Sequence, residues 1–86
     1  MNNTIYVVTG STGEYSDHCE WQVIAYYSEA KAKEHVINAS KRANELYVKY
    51  SGAYYNIPYG SNEYDKVMKG DYTGTRYNYE PVEIKD

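Results

Sequence analysis

One long amphipathic segment, residues 28–52, constrains the fold of this chain more than any other feature. Its apolar positions recur every three or four residues, which predicts a helix with one apolar stripe. The stripe consists of Ala32, Val36, Ala39, Ala43, Leu46, Tyr47 and Tyr50. Ser28 can act as the N-cap, and Gly52 suits the left-handed conformation that ends many helices. Because alanines allow close approach, we expect this helix to lie on a sheet.

Three β-rich runs supply the sheet. They span Thr4–Gly10, Trp21–Ser28 and Thr75–Ile84. The first two are joined by about ten residues, too few for the crossover that parallel strands need, so they should pair antiparallel. The second run is apolar on both faces, which favours a central strand with Trp21 and Tyr26 on opposite faces. Pro81 cannot donate to a sheet, so the third run should lie at an edge or contain a bulge.

The sequence therefore predicts a single α+β domain over residues 1–86. Its expected architecture is an antiparallel sheet of about three strands, in the order β-β-α-β, with one long helix packed on one face. Residues 53–75 are rich in Gly, Asn, Ser, Asp and Tyr and show neither strand nor helix periodicity. We expect an ordered loop held by its tyrosines there, with one or two helical turns at residues 62–70 as an alternative.

Tyrosine dominates the aromatic composition, with thirteen tyrosines, one tryptophan and no phenylalanine. A buried tyrosine hydroxyl needs a hydrogen-bond partner, and so small a domain cannot accommodate thirteen. Several should be exposed, and tyrosine, tryptophan and arginine are enriched at binding hot spots. The alternative is that tyrosine simply occupies every half-buried position. A domain of this size buries only about 60% of its chain surface, which is compatible with a homodimer.

Charge and cysteine content narrow the protein class. The net charge of −3 argues against electrostatic capture of nucleic acid. The single cysteine, Cys19, excludes an internal disulfide and fits a reducing compartment. The first residues do not resemble a signal peptide, and no run approaches the ~18 apolar residues of a membrane span. We therefore expect a cytoplasmic protein with no membrane association.

The segment TGSTGEYSDHCEW, residues 9–21, contains three acids, one histidine, the only cysteine and the only tryptophan. In a phosphate-binding loop the glycines are followed by a helix, whereas the glycines here are followed by acids and a strand. Asp17, His18, Cys19 and Glu20 are consecutive, so their side chains diverge and cannot share one metal ion. We expect no catalytic residue, no metal and no cofactor. The segment is either a polar hairpin loop or a surface in which Tyr15 and Trp21 flank acids suited to a basic partner.

A second segment, GDYTGTRY at residues 70–77, can meet the first at one end of the sheet. It is either a tight connection into the last strand or a part of the same surface. In the second case Arg76 would pair with Glu14, Asp17 or Glu20. The residues predicted to bind a partner are Tyr15, Asp17, His18, Glu20, Trp21, Tyr72 and Arg76.

The segment IYVVTGSTGEYSDHCEWQVIAYYSEAKAKEHV, residues 5–36, and the closing DYTGTRYNYEPVEI, residues 71–84, carry a resemblance. They are similar to a group of small phage and prophage proteins with a TG-x-x-GEYSD-x-x-EW segment and a tyrosine-rich C-terminal strand. The resemblance covers about half of the chain, at its two ends. It implies a phage accessory protein in the bacterial cytoplasm, and it implies no mechanism.

Two hypotheses of function follow. The first is a non-enzymatic accessory protein that binds and modulates a host protein, such as a component of a defence system that it inhibits. The second is a small-molecule or nucleotide-binding protein, a sponge whose tyrosines stack on a base. A nucleotide pocket should place Arg76, Lys66 or Lys69 with the rings, whereas a protein-binding surface should be rimmed by acids.

Overall fold

The predicted helix is present and ends where its capping residues predict. In the computed structural model, which describes residues 3–71 and 73–85 (without the side chain of Asp17), the helix α1 spans Glu29–Lys49. The Ser28 hydroxyl accepts a hydrogen bond from the backbone N–H of Lys31. Gly52 adopts a φ of 78° and its N–H donates to the Tyr47 carbonyl, which closes the last turn. The buried helix residues are Ala32, Ala39, Ala43 and Leu46, all from the predicted stripe.

The sheet has three antiparallel strands: β1, Thr4–Thr12; β2, Cys19–Tyr26; and β3, Thr75–Glu83. Their spatial order is β2-β1-β3, so the α+β fold in β-β-α-β order is confirmed. The prediction that the second strand is central is wrong, because β1 takes that position. Pro81 lies in β3, an edge strand, where its missing N–H is tolerated.

A β-bulge explains a second difference from the sequence prediction. The pairing of β1 with β2 shifts between Val8 and Thr9, which leaves Val23 outside the register. The extra residue changes the alternation of side chains, so Tyr26 lies on the same face as Trp21. The Tyr26 hydroxyl bonds to Nδ1 of His35 on α1 at 2.9 Å.

The helix-facing side of the sheet carries the core. Val8 and Leu46 are fully buried, and Trp21 and Tyr77 flank Gly10 in one cross-strand row. A Cβ on Gly10 would lie 2.6 Å from the indole ring of Trp21, so only glycine allows the ring to lie across β1. Among the described residues, no helix has the length and apolarity needed to cross a bilayer.

The loop between α1 and β3 packs on the same face as the helix. A short 3-10 turn at Tyr54–Asn56 opens it, and two successive turns follow, closed by Asp65 N–H to Asn62 O and by Met68 N–H to Asp65 O. The alternative of helical turns at residues 62–70 is therefore not realised. Two buried loop residues, Asn62 and Asp65, hydrogen-bond to α1 and to β2 respectively and so hold the loop against them.

Candidate functional site

The hairpin between β1 and β2 projects a tyrosine into solvent. Tyr15 is 93% exposed and begins a 3-10 turn, Tyr15–Asp17. Its φ is 58°, in the left-handed region that bulky residues rarely adopt. Such a conformation costs on the order of 1–3 kcal/mol and persists only where the surroundings impose it. The turn thus has a strained backbone and presents a large aromatic side chain to solvent.

The base of this hairpin is fixed by the segment that leads into β3. The Arg76 guanidinium donates to the Gly13 carbonyl at 2.7 Å, and Gly13 N–H donates to the Thr73 hydroxyl at 3.1 Å. The Thr12 hydroxyl donates to the Gly74 carbonyl at 2.6 Å. The loops that precede β2 and β3 therefore meet at one end of the sheet. The partners of Arg76 here are a backbone carbonyl and the Thr73 hydroxyl, in place of the carboxylate that the sequence suggested.

His18 and Glu20 lie beside the tip. His18 Nε2 is 3.8 Å from a Glu20 carboxylate oxygen, and both side chains are exposed. An exposed pair of this kind contributes at most about 1 kcal/mol to stability. Both remain available for a partner. Of the other predicted site residues, Tyr72 and the side chain of Asp17 lie outside the described part of the structure.

Trp21 does not share a surface with Arg76. It pairs with Gly10 on the helix-facing side of the sheet, whereas Glu20 and Arg76 pair with Ser11 on the opposite side. The Trp21 indole N–H donates to a carboxylate oxygen of Asp65 at 2.8 Å. The single aromatic and acidic surface predicted from the sequence is therefore divided between two faces.

Asp65 is the residue that the sequence analysis missed. It is 2% exposed, and the same oxygen that binds Trp21 accepts the Tyr77 hydroxyl at 2.7 Å. Its other oxygen accepts the Val67 N–H at 3.2 Å. Asn62 extends the network by donating to the Ala39 carbonyl at 3.2 Å, which ties the loop to α1. One signal in the sequence could have indicated such a residue. The many tyrosine O–H groups and the tryptophan N–H need acceptors wherever they are buried, so a buried acceptor was to be expected.

The environment of Tyr77 alters its acidity. Desolvation by burial raises the pKa of the Tyr77 hydroxyl far above its ordinary value, and the hydrogen bond to Asp65 raises it further. The hydroxyl therefore stays protonated and acts as a donor to the carboxylate. These groups hold the loop to the sheet, and nothing in their arrangement leaves a reactive atom facing solvent.

A cavity of about 130 Å³ lies between the end of α1 and the long loop. Its walls include three tyrosines, Tyr47, Tyr54 and Tyr59, with Ile57, Pro58 and Met68, and Asp71 is its one charged residue. Lys66, Lys69 and Arg76 are not among the residues that line it. The cavity is suited to a small ligand with aromatic or apolar character and offers a phosphate no cationic partner.

The described residues hold no group of three or more His, Cys, Asp or Glu side chains placed to bind a metal. The tip of the hairpin and the tyrosine-lined cavity are thus the two candidate sites. Comparison of the chain with protein families, with curated proteins and with solved structures finds no match.

Proposed function

We propose that this protein is a non-enzymatic binding protein that docks the tip of its first hairpin onto a host protein and modulates it. The resemblance to phage accessory proteins suggests that the host protein belongs to a defence system, which the binding would inhibit. The observation that carries the proposal is Tyr15, an almost fully exposed tyrosine held at a positive φ.

The physical argument concerns preorganisation. A tyrosine contributes a large contact area with few rotatable bonds, so it loses little conformational entropy on binding. Thr73 and Arg76 both hydrogen-bond to Gly13, so the base of the hairpin is fixed before a partner arrives. A loop that already has its bound conformation binds more tightly, because less conformational entropy is lost on binding.

Charge indicates the chemistry of the partner. The exposed Glu14 directly precedes Tyr15, the exposed Glu20 lies near the start of β2, and the exposed His18 lies between them in sequence. A partner with a basic rim around an apolar pocket complements this arrangement, with the acids favouring fast association and Tyr15 filling the pocket. The whole protein carries a net charge of −3, which acts in the same direction.

The test compares two tyrosine substitutions. Tyr15→Ala should weaken binding to a host protein captured by the wild type at least about 30-fold, the loss typical of a central aromatic anchor. The matched control is Tyr55→Ala, which removes another exposed tyrosine, at 77% exposure, far from the hairpin in sequence. Equal affinities for the wild type and Tyr15→Ala would contradict the proposal.

A further variant separates binding from folding. Tyr15→Gly removes the ring and also relieves the backbone strain, because glycine adopts positive φ readily. We expect this variant to unfold at a denaturant concentration no lower than that of the wild type while it loses binding. A loss of binding together with a loss of stability would point to misfolding as the cause.

The tyrosine-lined cavity supports a second candidate function, the binding of a small molecule. The absence of Lys66, Lys69 and Arg76 from its walls favours a ligand without phosphate over a nucleotide. A ligand at 100 times its dissociation constant stabilises a protein by about 2.7 kcal/mol, which thermal unfolding detects readily. A panel of nucleosides, nucleotides and aromatic metabolites with no effect on unfolding would remove this candidate.

A further inference from the structure

The face of the sheet away from α1 presents an ordered set of side chains. Helix and loop both pack on the other face, and the cross-strand register gives three rows here. The rows, read from β2 through β1 to β3, are Glu20–Ser11–Arg76, Gln22–Thr9–Asn78 and Ala25–Val7–Glu80. All the β2 and β3 members of these rows are exposed. This set is called the open face below.

The open face is complementary to itself. Glu20 and Arg76 lie on either side of the central strand, at the same height along it, with opposite charges. In the next row two amide side chains, Gln22 and Asn78, occupy the corresponding positions. A two-fold rotation about an axis parallel to β1 exchanges the β2 and β3 positions of each row. It therefore brings each carboxylate to the partner's guanidinium and each amide to an amide.

The central strand contributes the apolar part. Val7 and Ile5 lie on the open face, and Val82, which pairs with Ile5, is 41% exposed. Under the same rotation Val7 and Ile5 meet their own copies near the axis. Glu80 faces the small Ala25 of the partner at the rim, where its carboxylate stays in water. Arg76 uses two of its five donors within the chain, so donors remain for the partner's carboxylate.

We propose that the occupant of the open face is a second copy of this chain, packed face to face about a two-fold axis parallel to β1. The three strands, of nine, eight and nine residues, cover about 14 by 30 Å. Two such faces bury about 840 Å² in total, less than the about 1,200 Å² of the smaller stable interfaces, so we expect a weak dimer with a dissociation constant in the micromolar to millimolar range. Each interface contains two Glu20–Arg76 pairs.

The pairing scheme gives a direct test by charge reversal. Glu20→Arg and Arg76→Glu should each be monomeric, because each places like charges opposite one another. An equimolar mixture of the two variants should form a heterodimer, because every reversed side chain then faces an opposite charge. The molar mass is measured by light scattering or sedimentation over a concentration series from about 1 μM to about 1 mM. The chain mass is 10.0 kDa, and the dimer has twice that mass.

Two further variants keep the outcome clear. Val7→Glu places a charge against its own copy without touching the Arg76 contacts, and it should also be monomeric. Lys31→Glu reverses a charge on the exposed part of α1 and should dimerise like the wild type.

The proposed dimer is overturned if the wild type is monomeric at every concentration or if Val7→Glu still dimerises. The two-fold scheme is overturned if mixing the reversed variants restores no heterodimer. Mass is measured without a host protein, so these results are independent of the proposed function.

Discussion

Removal of the Asp65 carboxylate should destabilise the protein severely, although the residue lies in a loop. One oxygen of Asp65 accepts hydrogen bonds from Trp21 at 2.8 Å and Tyr77 at 2.7 Å, and these residues belong to different strands. The other oxygen accepts the Val67 N–H within the loop. Asp65→Ala therefore leaves two aromatic donors in a poorly hydrated space and releases the loop from the sheet.

The magnitude follows from the groups left without partners. A buried donor that loses its acceptor costs about 1–3 kcal/mol, so the two aromatic donors together cost about 2–6 kcal/mol. Removing the carboxylate also removes its own desolvation penalty, which offsets part of the loss. We expect a net loss of about 3 kcal/mol. The total stability of a domain of 86 residues is only about 4–13 kcal/mol, so this change is a large fraction of it.

Asp65→Asn gives a graded comparison. Its carbonyl oxygen can still accept from Trp21 and Tyr77, but its amide then meets the Val67 N–H, donor against donor. We expect Asp65→Asn to lower the free energy of unfolding by about 1–2 kcal/mol, which is less than the loss for Asp65→Ala.

Urea unfolding followed by fluorescence is the suitable assay, because Trp21 is the only tryptophan and lies in the network. Glu63→Ala is the control, since it removes an exposed carboxylate of the same loop that pairs with Arg42. A loss below about 1 kcal/mol for Asp65→Ala, or a larger loss for Asp65→Asn, would refute the reasoning.

Two more expectations concern the same face of the sheet. Gly10→Ala should lower the free energy of unfolding by about 1–3 kcal/mol and shift the Trp21 emission, because the new Cβ would lie 2.6 Å from the indole. Urea unfolding measures this loss, with Ser11→Ala as the control. An unchanged unfolding midpoint for Gly10→Ala would contradict the expectation. Stability should also fall above pH 10, because the raised pKa of Tyr77 lets the unfolded chain release a proton that the folded protein keeps. The slope due to Tyr77 is up to about 1.4 kcal/mol per pH unit, and it should be absent in Tyr77→Phe.

The sequence predicted those parts of the fold that depend on local pattern. The apolar stripe from Ala32 to Leu46 predicts both the helix and its buried side, because the helical period is a property of one continuous segment and needs no knowledge of distant contacts. The position of the second strand depended on non-local packing. In the sequence, Ile24 suggests that the second strand has a second apolar face. In the structure, Ile24 borders a depression that Tyr64 and Val67 of the loop also line. A loop, and not a further strand, is the neighbour of that side chain.

The candidate site was predictable to a similar degree. Topology alone brings the loops before β2 and β3 to one end of the sheet, and Arg76 does reach Gly13. The bulge at Val23 is not visible in the pattern, so the face of Tyr26 was assigned wrongly. Asp65 was missed because an aspartate among Asn, Tyr and Lys has the composition of a solvated turn. Its burial depends on Trp21 and Tyr77, which lie far away in the sequence.

The alternation of side chains along β2 allows one short strand to serve both faces independently. Trp21 points to the loop and stabilises the fold, while its neighbour Glu20 points to the open face. A substitution at Glu20 can therefore alter association without disturbing the buried network. In the proposed dimer the axis runs parallel to β1, so both hairpins extend from the same end of the assembly. Two Tyr15 side chains then face the same direction, and a host protein with repeated sites would be bound with an avidity gain that a single tip cannot provide.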